Sequence, residues 1–227
     1  MDVTAIVPLP DALVARPEAV SLAMSGQSPL VRIVRELSAV ASVVVAAASE
    51  LVVPARELLA AAGFSQGSSR VCVVEAQAPG DRAQCVAAGL SEAGIHVLIH
   101  DIGWPLVDSG VAGQVIAALR AGAPVVAPAR PVTDTIKTVD PQGNVTATVD
   151  RATLQVLQYP RGFTADVLAD VLARHGAGEQ LDELRLAMGH IRVELIPGDP
   201  GAFEVELPRD ADYLAAVIDV RQHGSAR

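Results

Sequence analysis

Short apolar, β-branched runs recur along this chain, and each is followed by a segment whose apolar residues repeat at helical spacing. Val3–Pro8, Ala41–Ala47, Arg70–Val74, His96–His100 and Pro124–Pro128 read as strands. Pro29–Leu37, Val53–Ala62, Asp81–Leu90 and Val111–Ala121 read as helices, with Gly63 and Gly122 as stops and Asp81 near a start. Few folds satisfy such an alternation. It predicts βαβ crossovers and an α/β domain with a mostly parallel sheet covered on both faces. A run such as Ala41–Ala47, polar only at Ser42, suits a strand buried on both sides. The 227 residues fit a single domain over 1–227.

The alternation breaks at about 131–160. Thr133–Thr138, Asn144–Val149 and Leu154–Tyr159 are strand-like, and Asp140-Pro141-Gln142-Gly143-Asn144 is a turn signal between the first two. This segment reads as a protruding β-arm. An arm cannot bury both of its faces by itself, so a partner chain is expected. Past the arm, Thr164–His175, Gln180–Met188 and Arg209–Val220 read as helices, and Arg192–Ile196 and Phe203–Glu206 as strands.

Charge narrows the function. There are 26 acidic residues against 17 Lys and Arg, a net charge of −9, and Lys137 is the only lysine. Sites needing two lysines are excluded. The acidic balance argues against nucleic acid and against an anionic membrane surface. The N-terminus does not read as a signal peptide, and the most apolar stretch, Ala39–Ala48, is too short to span a bilayer. Cys72 and Cys85 show no metal spacing and read as two buried thiols in a reducing cytoplasm.

Three stretches are specific: Val97–Val107 (VLIHDIGWPLV), Ala117–Phe163 and Ile196–Ile218. They contain a strand ending in His-Asp, then Pro-Val-x-Asp-Thr-x-Lys, Val-Asp-Arg, a Pro-x-Gly-Phe turn and a Gly-Asp-Pro lead-in. Together they resemble the 2-C-methyl-D-erythritol 4-phosphate cytidylyltransferase family of isoprenoid precursor synthesis. The resemblance implies a Rossmann-like nucleotidyltransferase domain and an arm that interlocks two subunits. It also implies that CTP, with Mg²⁺, gives up its cytidylyl group to a phosphorylated polyol and releases pyrophosphate.

The resemblance assigns roles residue by residue. Asp101 corresponds to a catalytic, metal-side or phosphate-side carboxylate. Thr135 and Arg151 of the arm correspond to residues binding the polyol phosphate in the neighbouring subunit. Arg82 and Cys85 fall at the nucleotide side.

Several positions depart from the family pattern. The glycine-rich phosphate loop ending in Pro-Lys is replaced by Pro8–Glu18, which has no glycine and places Glu18 at the lysine position. His-Asp-Ala-Ala-Arg-Pro reads His100-Asp101-Ile102-Gly103-Trp104-Pro105, so an arginine has become Trp104. The lysine after Gly-Asp-Pro has become Glu204, a base-binding Gly-Gly reads Ala78-Pro79, a serine reads Cys85, and paired aspartates reduce to Leu181-Asp182. Trp104 is expected to plug the vacated pocket or to form a stacking platform.

Exchanging lysine for glutamate turns attraction for a phosphate into repulsion, each of about 4 kcal/mol at 4 Å and an effective dielectric of ~20. The expectation is a family member impaired or inactive in cytidylyl transfer. It would form a homodimer or a heterodimer with an active paralogue. Two other readings stand beside it. One is an active nucleotidyltransferase with changed substrates, using Mg²⁺ and a replacement cation set of Arg16, Arg82 and Arg161. The other is a phosphorylated-polyol binding or regulatory module built on Thr135 and Arg151.

Overall fold

The computed structural model describes residues 2–64, 70–176 and 179–224. Strand β1 (Val3–Leu9) is buried at every position. A 3-10 turn, Asp11–Leu13, and the single-turn helix α1 (Glu18–Ser21) follow. Helix α2 (Pro29–Ser38) starts where the Ser28 hydroxyl accepts from the Val31 N–H, with Pro29 in a first-turn position that needs no N–H. Strand β2 (Ser42–Ala47) leads into α3 (Ser49–Ala61). That helix begins before the expected Val53 and carries Pro54 inside it, near its N-terminal end, at the loss of one backbone bond.

Strand β3 (Val71–Glu75) precedes α4 (Arg82–Ser91), whose start is fixed by a capping box between Asp81 and Gln84. Strand β4 (His96–Ile99) runs to helix α5 (Ser109–Arg120), capped by Asp108, and then to β5 (Val125–Pro131). The hairpin β6 (Lys137–Val139) and β7 (Val145–Thr148) turns through Asp140, whose carboxylate accepts from the Gln142 and Asn144 N–H groups. Strand β8 (Gln155–Leu157) returns from it. Strand β9 (Arg161–Thr164), helices α6 (Ala165–Arg174) and α7 (Glu183–Met188), strand β10 (Val193–Pro197) and helix α8 (Ala211–Gly224) complete the described elements.

The main sheet runs β10-β5-β9-β4-β1-β2-β3, with β8 paired to the end of β5. All neighbours are parallel except β9, which lies antiparallel between β4 and β5, and β8. The expected mostly parallel α/β sheet is therefore present. The Pro-x-Gly-Phe segment, expected as a turn, is the inserted strand β9 instead. Its register sets Arg161 opposite Ile99, at the C-terminal end of β4. Phe203–Glu206, expected as a strand, stays irregular, although the Val205 N–H donates to the Gly103 carbonyl at 2.8 Å. Only Lys137 and Thr138 of Thr133–Thr138 are strand, because β6 has β7 alone to pair with.

One apolar core lies on each sheet face. The first gathers Val7, Ile33, Leu59 and Leu119, and the second Ile6, Ile99, Phe163 and Leu184. A smaller cluster of Met24, Leu106, Val205, Leu207, Leu214 and Ile218 holds α8 and the segment before it to the loop ahead of α2. The β6–β7 hairpin is exposed at every strand residue, Val139 and Val145 included. Among the described residues no helix is long and apolar enough to cross a membrane.

Candidate active site

The C-terminal ends of β1 and β4, the N-terminal end of the antiparallel β9 and the start of α4 meet at one edge of the sheet, where open α/β sheets bind ligands. His100 directly follows β4 and is completely buried. Its Nε2–H donates to the Trp104 carbonyl at 2.8 Å, and burial pushes its pKa down to about 4, so the ring is neutral. That bond closes the turn carrying Asp101. The Gly103 N–H donates to Asp101 Oδ1 at 2.9 Å, and the Trp104 N–H to the Asp101 carbonyl at 3.0 Å.

Arg82, the first residue of α4, reaches across this turn. Its Nη1 lies 2.6 Å from Asp101 Oδ2, its Nε 2.8 Å from Glu183 Oε1 and its Nη2 3.4 Å from the Tyr159 hydroxyl. Burial opposes the cation, but the Glu183 and Asp101 carboxylates overcome it and hold Arg82 above its usual basicity. Glu183 opens α7 and is fully buried. From β9, Arg161 stacks 4.3 Å over the Tyr159 ring and pairs with Asp182 at 3.3 Å and Glu183 at 3.9 Å. Tyr159 also packs against His100 and Trp104, each ring 5.9 Å away. Burial raises its phenol pKa, so it stays neutral, and its oxygen accepts from Arg82 Nη2.

Two cavities flank this cluster. The first, about 760 Å³, lies toward the β1 loop; the second, about 740 Å³, lies toward Trp104 and Tyr159. Arg82, Asp101 and Glu204 belong to the walls of both. The first is lined by seven carboxylates, Asp11, Asp81, Asp101, Glu179, Glu204, Glu206 and Asp210, against three arginines, Arg16, Arg82 and Arg209. Two of those arginines are spent within the wall: Arg82 as described, and Arg209 on Glu206 and Asp210.

The loop after β1 uses its own backbone donors. The Asp11 N–H donates to Gly80, Leu13 to Pro10, Val14 to Asp11 and Arg16 to Leu13. Pro8, Pro10 and Pro17 have no N–H to offer. The Gly80 loop is itself pressed onto Ala48: a Cβ at Gly80, which sits at φ +83°, would approach the Ala48 Cβ to 2.8 Å.

The structure brings Arg82, Asp101, Trp104, Glu204, Arg16 and Arg161 to the two cavities. It leaves Glu18 exposed on α1 and outside both walls. Thr135 and Arg151 are exposed on the arm, away from the cavities of their own chain, and Arg151 donates to the Thr133 carbonyl. Cys85 lies on the buried face of α4, with its thiol pushed up to about 12 by burial. Cys72, expected to be buried, is only partly so, because β3 is an edge strand of the sheet. Sequence reasoning missed Glu183 and Tyr159. An acid at a helix start looks like an ordinary solvated residue, and the sole hint at Tyr159 is its place beside the Pro-x-Gly-Phe motif.

The sequence model "IspD: 2-C-methyl-D-erythritol 4-phosphate cytidylyltransferase" matches residues 18–220. The chain belongs to the IspD family. It is 39% identical to 2-C-methyl-D-erythritol 4-phosphate cytidylyltransferase of Nocardia farcinica, over 75% of this chain and 74% of that protein. With its namesake from Rhodococcus opacus it shares 37% over 88% and 86% of the two chains. Among solved structures it resembles the enzyme of that name from Thermus thermophilus, with TM-score 0.73 and 26% identity over 97% of this chain and 100% of the other.

A chain of the IspD family is expected to use a divalent cation, and Asp101 is the carboxylate expected to hold it. The side chains present do not fit one. Asp101 Oδ2 is taken by Arg82 and Oδ1 by the Gly103 N–H. Among the described residues no group of three or more His, Cys, Asp or Glu is arranged to hold a metal.

Proposed function

We propose that this IspD-family chain is impaired in cytidylyl transfer from CTP to the phosphorylated polyol. The observation that carries this reading is the 760 Å³ cavity, whose seven carboxylates outnumber its arginines by four. Cytidylyl transfer gathers cations and backbone donors around a triphosphate. Here each unpaired carboxylate repels a phosphate by about 2 kcal/mol at 8 Å and an effective dielectric of ~20. The β1 loop supports the same reading, because its amides are bonded within the loop and to Gly80. Arg82 acts on Asp101 and Glu183 instead of on phosphate. Glu204 stands between the two cavities, where it repels a donor triphosphate and an acceptor phosphate alike.

A second copy of the chain is inferred at the arm. The β6–β7 hairpin has no buried face of its own, and Val139 and Val145 are 60% and 65% exposed. The single-domain reading over 1–227 is supported by one continuous sheet, and a cytoplasmic setting by two free thiols. The test is pyrophosphate release with CTP, Mg²⁺ and 2-C-methyl-D-erythritol 4-phosphate. The expected result is no turnover above background; a rate of about 1 s⁻¹, ordinary for enzymes, overturns the reading.

A further inference from the structure

We propose that Gln158, at the root of the arm, is a positioning residue: it grips the segment that carries Glu204 and so couples the arm to the charge at the sheet edge. Gln158 directly follows β8, the strand returning from the arm, and is 2% exposed. Its backbone N–H donates to the Pro128 carbonyl of β5 at 2.8 Å. Its side-chain nitrogen donates instead to the C-terminal segment, to the Asp199 and Ala202 carbonyls, each at 2.9 Å. Both amide hydrogens are thus spent on one stretch of backbone. Removing the donor leaves two carbonyls unmatched, so the amide fixes where that backbone lies.

The segment is shaped to be held this way. A Cβ at Gly198 would collide with Gln158 Oε1, and one at Gly201 with Arg221 Nη2. Arg221 of α8 pairs with Asp199 at 2.9 Å, whose other oxygen accepts from the Gly201 N–H, and Arg130 of β5 donates to the Pro200 carbonyl at 2.9 Å. Residues 198–202 are therefore gripped from the arm side and from α8. Just beyond them, Val205 and Leu207 are buried, while Glu204 and Glu206 are exposed and line the first cavity. The Glu204 side chain makes no ion pair or hydrogen bond among the described residues, so its backbone alone places it. A shift of the arm's return strand passes through the Gln158 amide to a carboxylate on the walls of both cavities.

This role rests on Glu204 as a repelling charge and not on the outcome of the CTP assay. Trp104 is the only tryptophan and shares a cavity wall with Glu204, so its fluorescence reports on that place. Quenching of the full chain by iodide, an anion, is compared with quenching by neutral acrylamide; the ratio of the two constants reads the negative charge beside the ring. Glu204→Gln is expected to raise the ratio about twofold, as removal of one partly screened charge does. Gln158→Met, which keeps the length and loses the donor, is expected to raise it comparably and to leave it unchanged in the Glu204→Gln background, because both act through the same charge. Should Gln158→Met fold poorly, Gly198→Ala displaces the same amide from the other side and is held to the same expectation. A merely loosened structure raises both constants together and leaves the ratio as it was; that result overturns the proposal, as does a rise that persists in the Glu204→Gln background. If Glu204→Gln itself leaves the ratio unchanged, the proposal falls together with the repulsion attributed to Glu204, whereas failure of the Gln158 and Gly198 variants alone leaves that repulsion standing.

Discussion

Arg82 Nη1 lies 2.6 Å from Asp101 Oδ2, and its other edge is 2.8 Å from the buried Glu183. One guanidinium thus neutralises two carboxylates from different parts of the chain. Removing it strands Glu183, whose side chain is only 1% exposed, without its closest counter-charge. Arg82→Gln is expected to lower unfolding free energy by about 3–5 kcal/mol, the cost of breaking a buried pair from one side. Urea denaturation checks this. A loss under about 1 kcal/mol would show that Arg161 compensates fully.

Glu204 and Glu18 occupy the two positions where relatives are expected to carry lysine, yet only Glu204 lines the cavities. The two reversals are therefore expected to differ. Glu204→Lys should raise CTP–Mg²⁺ affinity by about tenfold or more, since removing a repulsion and adding an attraction amounts to well over 1.4 kcal/mol. Glu18→Lys should change it less than about threefold, as expected of an exposed charge in high dielectric. Equilibrium dialysis with labelled CTP measures both. Equal responses would mean that α1 moves into the cavity.

The fold was legible because β1, β2, β3 and β4 are dominated by apolar residues, with few polar ones among them, as suits a covered parallel sheet. Strand β9 was not, since Arg161-Gly162-Phe163 owes its strand conformation to two flanking strands distant in sequence. The opposite error at Phe203–Glu206 has the same root: alternation suggests a strand, but its backbone neighbour is the turn at Gly103, which offers no ladder to extend. In the site, Asp101, Trp104 and Glu204 were legible from motif position. Glu183 was not, because its burial depends on Arg82 from a helix about a hundred residues away.

Gly162 has a demand of its own. A Cβ there would collide with the Val115 and Leu119 side chains of α5. Gly162→Ala is expected to destabilise by about 1–3 kcal/mol, the usual cost of overpacking, and to displace Arg161 beside it. Thermal unfolding reads the first effect. An unchanged melting temperature would show that α5 yields freely.

His100 makes stability depend on pH. Its pKa is about 4 in the folded protein against an ordinary 6.5. Between those values the unfolded chain holds a proton that the native ring does not. The contribution of neutral His100 is therefore fully present above pH 6.5 and is lost as the pH falls toward 4. Its size is on the order of 3 kcal/mol. His100→Gln, which retains a donor for the Trp104 carbonyl, should flatten the profile across that window. Urea midpoints at neutral and acid pH, wild type against variant, decide it; parallel profiles would remove His100 as the cause.

The arm supplies the last test. Val139 and Val145 are cross-strand partners in β6 and β7 and stand 60% and 65% exposed. Their apolar surface contributes nothing to the isolated chain and gains about 25 cal/mol per Å² once a second copy covers it. The double substitution Val139→Glu, Val145→Glu is therefore expected to convert a dimer to a monomer and to leave the fold of the main sheet intact. Light scattering after size exclusion reads the mass, and circular dichroism the fold. A wild type that is monomeric at micromolar concentration would remove the arm as a contact between identical chains. A dimer that survives the double substitution would place the contact on another surface.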